Sequence, residues 1–180
     1  VPALITVGHG RLDREDLAAL LTGAGIEYLI DVRRFPGSRT NDAAAKGAVP
    51  ELCAEAGVAY RWDERLGGRR HLTKDQDAAS PDTWWRVAAF RAYAAHTRTP
   101  EFRAGFDDLL TAMGDSRTAI LCSESVWWRC HRRIIADVAM LEAGAEGMHL
   151  MHDGRLQPAE PSEGARLGAD GRVVWDGADR

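Results

Sequence analysis

The feature that most constrains the chain is a change of period, made twice. Apolar runs of strand length give way to segments with apolar residues at helical spacing, and then return. "ALITVGHG" (residues 3–10) reads as a strand, "LDREDLAALLTGAG" (12–25) as a helix with an acidic first turn, and "IEYLIDVR" (26–33) as a strand again. "SRTAILCSE" (116–124), "CHRRIIADVAMLEAG" (130–144) and "AEGMHLM" (145–151) repeat the pattern. Two strands joined through a helix run parallel in one sheet. Between these units lie a turn-rich loop "RFPGSRTN", a short helix near Pro50 to Ala56 and the strand and glycine-arginine loop "GVAYRWDERLGGRR". A helix over Ser80 to Thr97 follows, with Trp85, Ala88, Ala89, Ala92 and Tyr93 on its inner face, and then a helix opened by "TPEF".

The expected fold is an α/β three-layer sandwich with a mainly parallel central sheet. Residues 1–159 read as a single domain. Residues 160–180, where "GARLGADGRVVWDG" is rich in glycine and charge, read as a hairpin-like or extended appendage or tail outside the core. No apolar run approaches the ~18 residues of a membrane span, so no membrane partner is expected. An odd count of three cysteines in a chain without disulfide density suits a cytoplasmic protein. The net charge of −4 rules out a generally basic nucleic-acid binder and leaves room for a local basic patch.

In parallel sheets, ligands gather at the carboxyl ends of strands. Those ends carry His9, then Asp31 with Arg33 and Arg34, then the arginines of "LGGRR", then Cys122 and Glu124. Asp31 and Glu124 each follow an apolar strand, where burial raises a carboxyl pKa and neighbouring arginines lower it. Such a carboxylate activates water or stabilises a developing cation. The alternative for either is a salt bridge that ties loops together. Arg33, Arg34, Ser38, Arg39, Gly67, Gly68, Arg69 and Arg132 supply backbone donors and guanidinium forks suited to phosphate or a base. Tyr60 or Trp127 is placed to stack, since regular structure turns only one of two adjacent tryptophans inward. His131 either contacts the substrate or caps the loop.

Cys122, between a strand end and a helix start, also has the setting of a nucleophilic thiolate, although Glu124 opposes that charge. Seven residues separate Cys122 from Cys130, too many for an ordinary zinc pair, so no metal and no cofactor is expected.

Taken together, "TVGHG", "LIDVRRFPGSR", "AGVAYRWDERLGGRR", "SPDTWWRVAAFRAYAAHTRTPEF" and "ILCSESVWWRCHRRIIADVAML", closed by His149, resemble the family catalogued as domain of unknown function 488. This chain has Gly10 where the family pattern has serine, and Trp127 where a less aromatic residue is common. The resemblance implies DNA base excision, by a glycosylase that removes a modified pyrimidine of the 5-hydroxymethyluracil type from DNA or other nucleic acid. "YLIDVR" also resembles the strand of rhodanese-like domains, which implies a sulfurtransferase or other thiol enzyme using Cys122. A third reading is a nucleic-acid-binding module without catalysis.

Overall fold

In the computed structural model, which describes residues 2–178, the chain begins with β1 (Ala3–Gly8), α1 (Arg14–Gly23), β2 (Tyr28–Asp31), α2 (Ala48–Ala56) and β3 (Ala59–Trp62). Three helices follow, α3 (Lys74–Ala78), α4 (Ala88–His96) and α5 (Pro100–Asp115), then β4 (Thr118–Cys122), α6 (Arg132–Ala143) and β5 (Glu146–Leu150). The chain closes with β6 (Leu156–Pro158), β7 (Ala165–Leu167) and β8 (Val173–Trp175). Local chemistry sets the boundaries. Asp13 caps α1 by accepting from the Asp16 N–H at 2.8 Å, Thr99 with Pro100 opens α5, and Gly57 and Gly144 close α2 and α6 in the left-handed conformation.

One sheet has the order β3-β2-β4-β1-β5-β6, parallel throughout except for the antiparallel β6 at its edge. Pleating sends alternate residues to opposite faces. Leu4, Ile30 and Ile120 pack with Phe102, Phe106 and Leu109 of α5 and Ile134, Ile135 and Val138 of α6. Their neighbours Ile5, Leu29, Ala119 and Leu121 pack with Leu17 and Leu21 of α1 and Val49 and Leu52 of α2. The result is the expected three-layer α/β sandwich with a mainly parallel central sheet. None of the helices among the described residues is long and apolar enough to cross a membrane.

Two expectations need correction. The helix expected over Ser80 to Thr97 is helical from Ala88 only, and Ala88 and Ala89 are exposed, while Trp85 is buried ahead of it. The irregular stretch before it meets the C-terminal strands instead, with the Trp84 N–H donating to the Trp175 carbonyl at 3.0 Å. The segment expected as an appendage is the hairpin β7–β8, and it belongs to the core: Ala165, Val173 and Trp175 are buried in the cluster with α6. Its anchor is Asp137 on α6, buried and held by the Trp175 indole N–H at 2.8 Å and the Ser162 N–H at 2.9 Å.

Candidate functional site

The helices after β1 and β2 cover one face of the sheet, and the helix after β4 covers the other. Because β4 lies between β1 and β2, the loops leaving these neighbours diverge and open a crevice at their carboxyl ends. There lies a cavity of about 910 Å³. His9 reaches it from the loop after β1, Arg33, Arg34, Ser38 and Arg39 from the loop after β2, Gly68 and Arg69 from the loop after β3, Cys122 from the end of β4, and Glu124 and His131 from the segment after it. Asp31, Tyr60, Gly67, Trp127 and Arg132 do not line it.

Asp31 is fully buried. Its Oδ1 accepts from Arg33 Nε at 2.9 Å and the Arg33 N–H at 3.1 Å, and its Oδ2 from Arg33 Nη2 at 2.6 Å and the Tyr60 hydroxyl at 2.7 Å. A carboxylate so fully occupied has no lone pair placed for substrate, and its work is to fold Arg33 back over the strand end. Arg33 also donates to the Ala44 carbonyl at 3.0 Å, which pulls the loop in, and Asn41 ties that loop to the one after β1 through the Gly10 and Leu12 carbonyls. Tyr60 is corrected with its partner: burial and the adjacent Asp31 charge raise its pKa, and its hydroxyl braces Asp31 instead of leaving the ring to stack.

Arg132, expected to hold phosphate, is 1% exposed and lies beneath the loop after β4. It donates to the carbonyls of Glu124 and Ser125, to Thr6 Oγ1 at 3.2 Å and to Cys122 Sγ at 2.7 Å. Desolvation pushes its pKa down to about 10. Thr6 passes the contact on, its hydroxyl donating to His149 Nδ1 at 2.6 Å. The loop thus rests on a buried chain of polar groups and crosses the end of β1 where no side chain stands. A Cβ on Gly8 would lie 2.6 Å from the Glu124 carbonyl carbon and 2.8 Å from Arg132 Nη1.

Glu124 itself is exposed, and among the described residues no side chain pairs with its carboxylate. Trp127, expected to stack on substrate, already stacks on His149, with ring centroids 4.4 Å apart and planes 5° apart. The sulfurs of Cys122 and Cys130 meet across the loop, and Cys122 Sγ also accepts from Arg132 Nη1 at 2.7 Å, so the Cys122 side chain faces its neighbours beneath the loop. Among the described residues no group of three or more His, Cys, Asp or Glu side chains is placed to hold a metal ion.

The glycine-arginine loop is pinned from below by the Tyr93 hydroxyl on the Leu66 carbonyl at 2.7 Å and by His96 Nε2 on the Arg65 carbonyl at 2.7 Å. Both glycines are close approaches. A Cβ on Gly67 would lie 2.9 Å from Arg34 Cα, and one on Gly68 2.9 Å from His131 Nδ1. Burial pushes His131 down to about 4, so its ring is neutral. Its Nε2–H donates to the Val32 carbonyl at 2.8 Å, leaving Nδ1 an acceptor. His9 is also held neutral by burial, with Nδ1–H on the Gly10 carbonyl at 3.0 Å.

The charged lining is five arginines, Arg33, Arg34, Arg39, Arg69 and Arg129, against one carboxylate, Glu124. Arg39, Arg69 and Arg129 are exposed, and among the described residues none meets a carboxylate. Arg69 is the described non-glycine residue at positive φ (56°), a strained backbone held at the rim. Sequence reasoning passed over Phe35, which lines the cavity at 64% exposure with the Arg34 and Arg69 guanidiniums 6.0 and 5.9 Å from its ring. Its signal was visible, because a phenylalanine inside the polar turn "RFPGSR" has no helical or strand face to serve.

The family model described as "Domain of unknown function DUF488" matches residues 13–139, which include every element that reaches the cavity except β1 and His9. No curated protein and no solved structure matches the chain.

Proposed function

The chain belongs to the DUF488 family, and we propose that its cavity receives a nucleotide extruded from nucleic acid, where Glu124 serves hydrolysis of the N-glycosidic bond. The leading substrate is DNA carrying a modified pyrimidine of the 5-hydroxymethyluracil type. One observation carries the reading: a single unpartnered carboxylate stands in a wall of arginines. Cleavage of an N-glycosidic bond builds positive charge on the sugar, which a carboxylate stabilises, and needs a water oriented toward the anomeric carbon. In the balanced step water adds hydroxide to C1′, the base departs with the bonding pair and takes up a proton, and an abasic sugar remains. The free guanidiniums supply the phosphate contacts that position a nucleic acid, and Phe35 offers a face for the base.

Thiol chemistry through Cys122 has less support, since Cys122 is 2% exposed and its sulfur is packed against Cys130 and the Arg132 guanidinium. The test is incubation with duplexes carrying a panel of modified bases, followed by alkaline cleavage. Wild-type protein is expected to cut at one class of base, Glu124→Gln to lose at least about 100-fold in rate, and Cys122→Ser to keep activity. Intact strands throughout would sink the glycosylase reading, and loss with Cys122→Ser but not Glu124→Gln would return the choice to sulfur.

A further inference from the structure

We infer that Trp128 is the wedge that enters a duplex at the place vacated by the extruded nucleotide. The inference rests on the nucleic-acid reading above and adds to it a residue outside the cavity. Two adjacent tryptophans have been given opposite environments. Trp127 is an anchor, stacked on His149 and with the Arg133 guanidinium 5.4 Å from its ring. Trp128 stands perpendicular to it, with centroids 5.5 Å apart and planes at 88°, and is 45% exposed. It occupies a single helical turn, Trp127 to Arg129, on the loop that carries Glu124.

Position separates the roles of the exposed aromatics. Phe35 lines the cavity and so suits the extruded base, whereas Trp128 lies outside the lining, next to Arg129, which is part of it. A nucleotide with its phosphate at Arg129 and its base in the cavity leaves a gap in the stack beside that phosphate, and Trp128 is the neighbouring apolar group of a size to fill it. Wedges of this kind need a rigid base, because a floppy side chain loses on ordering what it gains on stacking. The Arg132 fork and the Trp127–His149 stack both hold this loop from below. An exposed indole is also what a protein partner would grip, but the unpaired Arg129 beside it favours a polyanion.

The test uses a duplex with a 5-hydroxymethyluracil·guanine pair beside a 2-aminopurine, and the same modified strand alone. Binding of wild-type protein is expected to raise the 2-aminopurine fluorescence of the duplex as neighbouring bases unstack. Trp128→Ala is expected to lose that rise and to lower the duplex-to-single-strand activity ratio about 10- to 100-fold, with Trp128→Phe restoring part of both. Thermal melting of each variant reports whether the loop still folds. The inference is overturned if Trp128→Ala opens the duplex as wild type does, if both strand forms suffer equally, or if wild type binds with no fluorescence change. A Trp128-dependent rise without excision of any base would instead defeat the glycosylase reading and leave the wedge standing.

Discussion

Adding one methyl group at Gly8 is the sharpest perturbation of the site that touches no substrate-facing residue. Gly8 ends β1, and the loop carrying Glu124 crosses directly over it. An alanine Cβ would lie 2.6 Å from the Glu124 carbonyl carbon, nearer still to its oxygen, and 2.8 Å from Arg132 Nη1. The carbonyl oxygen itself would lie 1.8 Å away and ordinary contact begins at 3.4 Å, so that carbonyl must retreat by about 1.6 Å. β1 cannot move instead, since it is hydrogen-bonded between β4 and β5. Overpacking of this kind costs about 1–3 kcal/mol, which in a chain of this size lowers Tm by roughly 3–10 °C. A misplacement near 1 Å at a reacting group costs about 100-fold in rate. Gly8→Ala is therefore expected to fold, to melt several degrees lower, and to lose about 30- to 100-fold in excision of the modified base while still binding DNA. Gly114→Ala on α5, where an added Cβ meets nothing within 4 Å, is the control and should be neutral or more stable. If Gly8→Ala melts lower yet excises at the wild-type rate, the position of Glu124 does not govern the chemistry.

Other outcomes follow from the charges. Arg39→Gln, Arg69→Gln and Arg129→Gln should each flatten the slope of log K against log salt for duplex DNA by about 0.9, and an unchanged slope removes that residue from the phosphate path. Arg69→Gly should weaken DNA binding with nearly no change in Tm, because relief of the positive φ offsets the added freedom of the unfolded chain. His131 and His149 both have pKa values pushed down to about 4 by burial, so the unfolded chain binds their protons first as pH falls. Their contribution to stability is intact above about pH 6.5 and is lost toward pH 4, at about 2 kcal/mol per histidine by pH 5. A urea midpoint that is the same at pH 7.5 and pH 5 would refute the neutral, buried assignment.

The strands and helices were legible because their periods survive in the sequence, and "YLID" or "RRIIADVAML" can pack in few other ways. The crevice followed from strand order, which the alternation of units implies. What escaped was the direction of side chains in the short segments between elements. Asp31 and Glu124 look alike in sequence, each a carboxylate closing an apolar run, but Asp31 is the last residue of β2 and turns inward, while Glu124 lies two residues past β4 on a loop that turns out. That offset of two residues decides which one meets solvent. The tryptophan pair reads in sequence as one inward and one outward, but which is which was hidden, because His149, the partner that captures Trp127, is 22 residues away in sequence. The C-terminal hairpin escaped for the same reason: its glycine-rich composition hides the one residue, Trp175, that binds it to Asp137.

Arg132 is where sequence and structure disagree most usefully, and its substitution by lysine separates the two accounts. As a phosphate ligand, Arg132→Lys would keep the charge, raise the dissociation constant modestly and leave turnover of bound substrate intact. As the buried fork beneath the loop it behaves otherwise. One ammonium cannot span Thr6 Oγ1 and the carbonyls of Glu124 and Ser125 together, so at least one of these acceptors loses its donor. A buried acceptor left unsatisfied costs about 1–3 kcal/mol, and the loop can recover it only by lifting toward water, taking Glu124 with it. Arg132→Lys is then expected to melt several degrees lower and to lose at least about 10-fold in the single-turnover rate of excision, with DNA affinity and the slope against salt unchanged. Affinity measured in the Glu124→Gln background keeps binding apart from chemistry. A weaker dissociation constant with an unaltered single-turnover rate would place the guanidinium on the nucleic acid after all, and would mean that the loop rises in the complex to let it out.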